Sequence, residues 1–130
     1  MNKKEIHVAA GILKRNGRIL AVQRGTGQWK GYWEFPGGKI EENETSIEAL
    51  VRELSEELKV EILNPSFLTT IRFSYPGFNL VMDCYLCDIT REFTLTEHLD
   101  SRWLASDELE DINWLPADYQ ILPLIKETLE

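Results

Sequence analysis

The chain has 130 residues, of which 43% are hydrophobic and 28% charged, a composition that fits one folded domain over 1–130 and excludes disorder as its main state. Its 14 basic and 22 acidic residues give a net charge of -8, which disfavours long nucleic acid as a partner. The longest apolar stretch, Val8–Leu13, is far shorter than a membrane-spanning helix. No secretory segment follows the basic residues at 1–4, so we expect a cytoplasmic protein.

The first third of the chain has the pattern of short strands separated by tight turns. Asn16-Gly17 stands between two apolar-rich runs, and this dipeptide favours a two-residue β-hairpin turn. Pro36-Gly37-Gly38 and the following Lys39 favour a turn whose exposed backbone can approach an ion or a phosphate. The predicted elements are strands at 6–13, 18–24 and 33–35, with a polar loop at 25–31.

The clearest predicted helix begins at Thr45. Thr45-Ser46-Ile47-Glu48 has the capping-box pattern, in which the Glu48 side chain reaches back to the backbone N–H of the cap residue. Apolar residues then recur at helical spacing and predict one stripe that packs against the rest of the protein. This stripe consists of Ile47, Leu50, Val51, Leu54 and Leu58.

The second half of the chain predicts another hairpin and a helical end. Pro76-Gly77 separates its two strands, and Pro123 is expected to interrupt the last helix. The predicted elements are strands at 69–75, 79–89 and 102–104, a short helix at 106–109 and a helical tail at 118–129. Strands around one long helix, with a second helix at the end, predict an α/β (α+β) fold, an α/β/α sandwich with a mixed β-sheet.

Cys84 and Cys87 are the only cysteines and form a C-x-x-C pair. No second Cys or His pair completes a zinc set. Residues three apart in a strand point to opposite faces, so we expect two structural thiols rather than a metal or redox pair.

Three glutamates of the predicted helix suggest a metal site. At 100° per residue, Glu53, Glu56 and Glu57 fall within about 100° of arc on a side away from the apolar stripe. Carboxylates at this spacing repel one another, and a hard cation such as Mg²⁺, bound by oxygen ligands, removes the conflict. The alternative is an acidic, solvated helix face of the kind common in acidic proteins.

The residues around these glutamates have a specific spacing. Gly38 is followed by Glu44 after five residues, and Arg52 and Glu53 come after seven more. Arg52 is placed to hold a glutamate through a bidentate fork. The stretch 38–60 resembles the Nudix box, G-x5-E-x7-R-E-U-x-E-E-x-G-U with U aliphatic. It departs at Lys59, where the box has a glycine that would cap the helix in the left-handed region.

The resemblance extends over most of the chain, to MutT-type nucleoside triphosphate pyrophosphohydrolases of the Nudix family. It implies a site for Mg²⁺, with Mn²⁺ as a substitute, on the carbonyl of Gly38 and the carboxylates of Glu53, Glu56 and Glu57. Glu97 stands where such enzymes place a further glutamate, a metal ligand or base. The catalytic set implied is Glu53, Glu97, Arg52 and Glu44. Glu97 as a solvated loop residue, and His98 as base or bystander, remain alternatives.

The same resemblance implies a nucleotide-binding set. Arg24 and Lys39 are the cations expected on the phosphates. Asp118 is the expected reader of the base, because enzymes similar to CTP pyrophosphohydrolases carry Asp there and some MutT-type enzymes carry Asn. An ionised Asp118 accepts from the cytosine amine, whereas a protonated one also donates to a guanine-type edge. The set is completed by Glu34, Phe35, Arg72 and Phe78.

Several of these binding residues have simpler alternatives. Asp118 suits the N-cap of the last helix, and Phe35 suits the core. Phe78 stands where some MutT-type chains carry an arginine. Trp33, Trp103 and Trp114 are expected to be core residues.

The resulting hypothesis is a Mg²⁺-dependent pyrophosphohydrolase that cleaves a nucleoside triphosphate, with cytidine nucleotides favoured, to the monophosphate and pyrophosphate. The alternatives are an enzyme that removes 8-oxo-dGTP from the nucleotide pool, a Nudix-like module that binds a nucleotide or ADP-ribose without cleaving it, and an acidic interaction domain. The expected partner is a small nucleotide, without membrane or long nucleic acid, and the sequence leaves monomer and homodimer open.

Overall fold

The computed structural model describes residues 3–129, so Met1, Asn2 and Glu130 of the predicted 1–130 domain lie outside the described residues. The strands are β1 (Lys4–Arg15), β2 (Arg18–Gln23), β3 (Trp33–Glu34), β4 (Gly37–Lys39), β5 (Ile62–Ser74), β6 (Phe78–Ile89) and β7 (Ser101–Leu104). The helices are α1 (Ser46–Leu58) and α2 (Leu122–Leu129), and 3-10 turns lie at Ser106–Glu108 and Pro116–Ile121. Among these helices, none has the length and apolar character needed to span a membrane.

Strand β1 lies at the centre of a mixed sheet. It runs parallel to β6, from Lys4 opposite Phe78 to Leu13 opposite Cys87. It is antiparallel to β2 and to β4. The strand order is β3-β2-β1-β6-β5, with β4 also paired to β1 and β7 to β2.

Two hydrophobic cores cover the two faces of this sheet. One lies under α1 and includes Leu13, Leu50 and Leu54, while the other lies under the C-terminal turn and α2 and includes Trp114 and Ile125. The α/β/α sandwich with a mixed sheet is therefore confirmed. The free thiols of Cys84 and Cys87 are buried, one in each core, as the alternation of a strand predicts.

Both hairpins form where the turn residues predict them. Asn16 and Gly17 have φ values of 53° and 73°, the positive pair that a type I′ turn requires. The second hairpin joins β5 and β6, but β5 begins at Ile62 rather than at Thr69. Bulges between Leu63 and Ser66 and between Phe67 and Thr69 accommodate this early part of the strand.

The predicted turn at Gly37-Gly38-Lys39 is wrong, because these residues form strand β4. Gly38 pairs with Ala9 and Gly37 with Ala10. A Cβ atom on Gly37 would lie 2.0 Å from the Ala9 carbonyl oxygen, so the glycine permits a backbone contact that other residues would block. The glycines therefore allow close strand pairing rather than chain reversal.

Helix α1 begins as predicted, but its buried face is rotated. Thr45 caps it through a complete capping box with Glu48. Ile47 and Val51 of the predicted stripe are 39% and 45% exposed. The buried residues are Ala49, Leu50, Leu54, Glu57 and Leu58. The helix therefore turns the side that carries Glu57 toward the sheet, against the prediction that the glutamates lie away from the packed face.

The C-terminal prediction needs one correction at Pro123. This proline lies in the first turn of α2 and does not interrupt it, because the first backbone N–H groups of a helix need no partner within the helix. The break occurs where the 3-10 turn Pro116–Ile121 passes into α2. Asp118 lies inside that 3-10 turn, so it does not serve as the N-cap of α2.

Candidate active site

A cavity of about 510 Å³ opens beside β1 and the carboxylates of α1. It is large enough for a small ligand. The predicted residues that line it are Arg24, Glu34, Phe35, Gly38, Lys39, Glu57, Phe78, Glu97 and Asp118. The predicted residues outside the lining are Glu44, Arg52, Glu53, Glu56 and Arg72. Arg72 is exposed on β5, whose neighbouring Ile71 packs into the core under α2.

Arg52 holds the carboxylates of Glu44 and Glu53 in place through hydrogen bonds. Its Nε and Nη2 donate to the two oxygens of Glu44 at 2.7 and 3.0 Å, and its Nη1 donates to Glu53 at 2.8 Å. Nη2 also donates to the Lys39 carbonyl at 3.0 Å, which ties α1 to β4. The Arg52 hydrogen bond, with one from the Glu41 backbone, lowers the pKa of Glu44 to about 2.

Glu53 lies directly against the backbone of Gly38. A Cβ atom on Gly38 would lie 2.3 Å from the Glu53 carboxyl carbon, far inside contact distance. The box glycine is therefore required for the close approach of a carboxylate, in addition to its strand pairing with Ala9. Glu56, one turn further along α1, is more exposed, and its carboxylate lies 3.8 Å from Arg52.

Glu57 is the buried carboxylate of the set. Its Oε1 accepts from the backbone N–H of Gly37 at 3.2 Å. Burial raises the pKa of Glu57 to about 7, although the charge of His98 opposes this shift; the charges of Glu53 and Glu34 add to it. A nearby cation would stabilise the ionised form of the buried Glu57 beside the partly buried Glu53.

The opposite side of the cavity holds a second pair of carboxyl groups, Glu34 and Asp118. Asp118 is 4% exposed, and burial followed by the charge of Glu34 raises the pKa of Asp118 well above its usual value. Glu34 is paired with Arg24, whose Nη1 donates to Glu34 Oε1 at 3.1 Å. This environment therefore favours the protonated form of Asp118.

Aromatic rings complete this side of the cavity. Phe78 stacks on Tyr75 with ring centroids 5.0 Å apart, and Trp29 contacts the same tyrosine edge-on. Phe35 lines the cavity and also stacks on the buried Trp114, so it has the core role, and its part in substrate binding stays a prediction. The sequence analysis did not predict Trp29 or Tyr75 as cavity residues. Two features of the sequence could have pointed to them: Trp29 is the one aromatic residue of the glycine-rich loop 25–31, and Tyr75 directly precedes the Pro76-Gly77 turn.

The loop that carries Glu97 and His98 is fixed to the end of α1. Thr96 donates through its hydroxyl and its N–H to the Glu57 carbonyl, at 3.0 and 3.2 Å. The loop also passes close to Gly25, where a Cβ atom would lie 2.5 Å from the Glu97 carbonyl oxygen. Glu97 is exposed at the cavity, whereas the His98 side chain is only 5% exposed.

A sequence profile of the NUDIX domain matches residues 5–125. The chain belongs to the Nudix family. This finding confirms the family resemblance drawn from residues 38–60 and identifies the protein as a Nudix hydrolase, an enzyme of a family that generally uses divalent metal ions.

Named relatives and solved structures fall in the MutT-like part of the Nudix family. The chain is 38% identical to the 8-oxo-dGTP diphosphatase of Proteus vulgaris over 66% of this chain and 79% of that protein. It is 33% identical to the CTP pyrophosphohydrolase of Escherichia coli over 92% of this chain and 90% of that protein. The crystal structure of a MutT Nudix hydrolase from Burkholderia pseudomallei superposes with a TM-score of 0.86 at 25% identity, covering 94% of this chain and 98% of the other.

The donor chemistry of this Nudix site fits a hard divalent cation. Its candidate ligands are all oxygens, and the pKa of Glu57 is raised mainly by burial and also by the nearby charges of Glu53 and Glu34, so a cation there would favour the ionised form of Glu57. Within residues 3–129, no three His, Cys, Asp or Glu side chains converge as a complete cluster. That arrangement is compatible with Mg²⁺, which commonly takes one or two carboxylates and completes its shell with water and substrate phosphates.

Proposed function

We propose that this Nudix hydrolase is a Mg²⁺-dependent pyrophosphohydrolase that converts nucleoside triphosphates to nucleoside monophosphates and pyrophosphate. The observation that carries the proposal is the arrangement of acidic groups in one cavity and directly beside it. Glu53 and Glu57 lie by the glycine strand β4, and Glu34 and Asp118 lie among aromatic rings. The first pair suits a metal and phosphates, and the second suits a nucleobase.

The phosphate side supplies ligands and cations. The proposed metal ligands are the Gly38 carbonyl, Glu53, Glu56, Glu57 and Glu97. When bound there, Mg²⁺, or Mn²⁺ in its place, neutralises phosphate charge and lowers the pKa of a bound water. Lys39 and Arg24 line the cavity and would offset the charge that develops on the phosphoryl oxygens.

The chain's own residues then guide water to an inner phosphorus. We assign proton removal from the water to Glu53 or to Glu97. Glu53 lies against the glycine strand β4, and Glu97 lies on the loop that is fixed to the end of α1. Arg52 fixes the Glu53 carboxylate, and Glu44 fixes Arg52 through its bidentate contact. The oxygen–phosphorus bond to the leaving group breaks as the new bond to water forms, releasing pyrophosphate.

The base side favours cytidine nucleotides in our proposal, with Asp118 as the reader. A protonated carboxyl group offers one donor and one acceptor, which match the N3 acceptor and N4 donor of cytosine. The relative named CTP pyrophosphohydrolase supports the assignment, although relatives named for 8-oxo-dGTP match the chain equally well.

An 8-oxo-dGTP-type activity is the second candidate. The relative from Proteus vulgaris is named for that activity, and a protonated Asp118 also matches the O6 and N1–H edge of a guanine-type base. The chemistry of phosphate cleavage is the same in both cases, so only the base preference distinguishes them.

A pyrophosphate-release assay tests the proposal. The purified protein would be given CTP, dCTP, 8-oxo-dGTP and ADP-ribose with millimolar Mg²⁺, and each reaction would be repeated with EDTA. We expect Mg²⁺-dependent pyrophosphate from the cytidine nucleotides. A strong preference for 8-oxo-dGTP would overturn the base assignment alone. Nucleotide binding without any product would overturn the enzymatic proposal in favour of a binding module.

A further inference from the structure

His98 lies between the two acidic pairs of the cavity. Its Nε2 is 3.4 Å from Glu34 Oε2 and 3.9 Å from Glu57 Oε2. Its Nδ1 is buried and has no hydrogen-bond partner among residues 3–129. A buried imidazole with an unsatisfied nitrogen costs free energy, so its position between two carboxylates requires a physical reason.

The backbone holds His98 in this position from both sides. Thr96, two residues before it, is bonded to the carbonyl groups at the end of α1. Leu99, the next residue, donates its backbone N–H to the Gln23 carbonyl at 2.9 Å. These contacts hold the His98 backbone between α1 and β2, which places its imidazole between the two acidic pairs.

Each carboxylate presents one remaining oxygen to the ring. Glu34 Oε1 is taken by Arg24, and Glu57 Oε1 is taken by the Gly37 N–H. The two Oε2 atoms both face His98 Nε2, which carries at most one hydrogen to donate. A hydrogen bond from Nε2 to Glu34 leaves Glu57 Oε2 free, whereas a bond to Glu57 competes with any other ligand of that oxygen.

We propose that His98 is a positioning residue that couples the base-side carboxylate Glu34 to the metal-side carboxylate Glu57. While Glu34 holds the Nε2 hydrogen, Glu57 Oε2 is available to a divalent cation. When Glu34 cannot accept, the hydrogen bond moves to Glu57 and weakens metal binding. The inference rests on the proposed function only in assigning Glu57 to the metal site.

A double-mutant cycle on metal affinity tests this coupling without turnover. Mn²⁺ binding to the nucleotide-free protein would be measured by calorimetry for the wild type, Glu34→Gln, His98→Asn and the double variant. Removing a residue that orients a metal ligand typically costs 10–100-fold in affinity. In Glu34→Gln the single amide oxygen stays with Arg24, so the amide N–H groups face His98 and cannot accept from it. We expect this variant to lower Mn²⁺ affinity about 10-fold when His98 is present and less than about 2-fold in the His98→Asn background.

Two further variants separate coupling from a structural role. In His98→Gln the amide nitrogen reaches the Nε2 position, whereas in His98→Asn it reaches only the Nδ1 position, so Gln should restore part of the Glu34 dependence. His7, the other histidine of the chain, is exposed, and His7→Gln is the matched control. Thermal melts of each variant confirm that it is folded at the temperature of the titration.

The outcomes are distinct for the coupling and for the metal site. Equal loss of Mn²⁺ affinity from Glu34→Gln in both backgrounds would mean a direct charge effect and would overturn the coupling alone. If Glu34→Gln changed Mn²⁺ affinity in neither background, the coupling alone would likewise be overturned. Absence of Mn²⁺ binding to every variant and to the wild type would overturn the metal site, and the coupling with it.

Discussion

At the scale of single residues, Gly38 shows how little room the site has. Its missing side chain lets the Glu53 carboxylate lie against the strand, where a Cβ atom would overlap the carboxyl carbon at 2.3 Å. The sequence marked Gly38 as part of the Nudix box, but the Pro-Gly-Gly pattern placed it in an exposed turn. The contact became visible only with α1 and β4 side by side.

Replacing Gly38 by alanine should displace Glu53 and reduce kcat by about 100-fold, the scale of loss that a misplacement of about 1 Å produces. Steady-state pyrophosphate release measures this effect. Gly77→Ala is the control, because a Cβ atom there has nothing within 4 Å. Equal activity of Gly38→Ala and Gly77→Ala would show that the Glu53 position is not critical.

Asp118 gives a prediction about pH and stability. Burial raises its pKa in the folded protein, so above a pH of about 4 the unfolded chain releases this proton before the folded one and stability falls as the pH rises. Asparagine does not titrate. The melting temperature of Asp118→Asn minus that of the wild type should therefore increase as the pH rises above about 4, until the pKa of Asp118 in the folded protein is reached.

Melting curves at several pH values, without metal or nucleotide, check this expectation for Asp118. Asp111→Asn, at an exposed position, serves as the control and should follow the wild type. If the Asp118→Asn difference were constant across this range, the carboxyl group would not be held in its protonated form by its surroundings.

At the scale of elements, the sequence pattern of α1 predicted where the helix begins but not which of its faces is buried. The capping box is local, involving residues three apart, and it forms as predicted. The centre of the buried face is set by the sheet that the helix meets, which no helical pattern contains. For that reason Ile47 and Val51 lie exposed and Glu57 lies buried, in the position where it contacts the cavity.

The end of α1 gives a second prediction at this scale. Lys59 caps the helix with φ 58° and ψ 38°, the left-handed conformation for which the box pattern has glycine. Lys59→Gly should stabilise the protein by about 1 kcal/mol and raise its melting temperature by about 3–5 °C.

Asn43→Gly is the control for Lys59→Gly. Asn43 has φ 67°, and asparagine already tolerates this region, so its replacement should change the melting temperature much less. Thermal unfolding of both variants measures the difference. A melting temperature unchanged or lowered by Lys59→Gly would mean that contacts of the lysine side chain compensate for its backbone strain.

At the scale of the whole molecule, short-range features were predictable and long-range ones were not. The Asn16-Gly17 and Pro76-Gly77 hairpins and the Nudix box are encoded by neighbouring residues. The parallel pairing of β1 with β6 joins residues such as Lys4 and Phe78, and no local pattern specifies it. The position of His98 likewise depends on Thr96 reaching the end of α1, so the sequence could present it only as a possible base or a bystander in a loop.

The same scale carries the central claim, that one cavity joins a metal-assisted phosphate site to a base site. The most direct measurement is ³¹P NMR of CTP with Mg²⁺ and the wild-type protein or Glu53→Gln. The account predicts CMP and pyrophosphate from the wild type, and turnover reduced by about 10²–10⁴-fold in the variant. Release of CDP and phosphate, or unchanged turnover by Glu53→Gln, would contradict it.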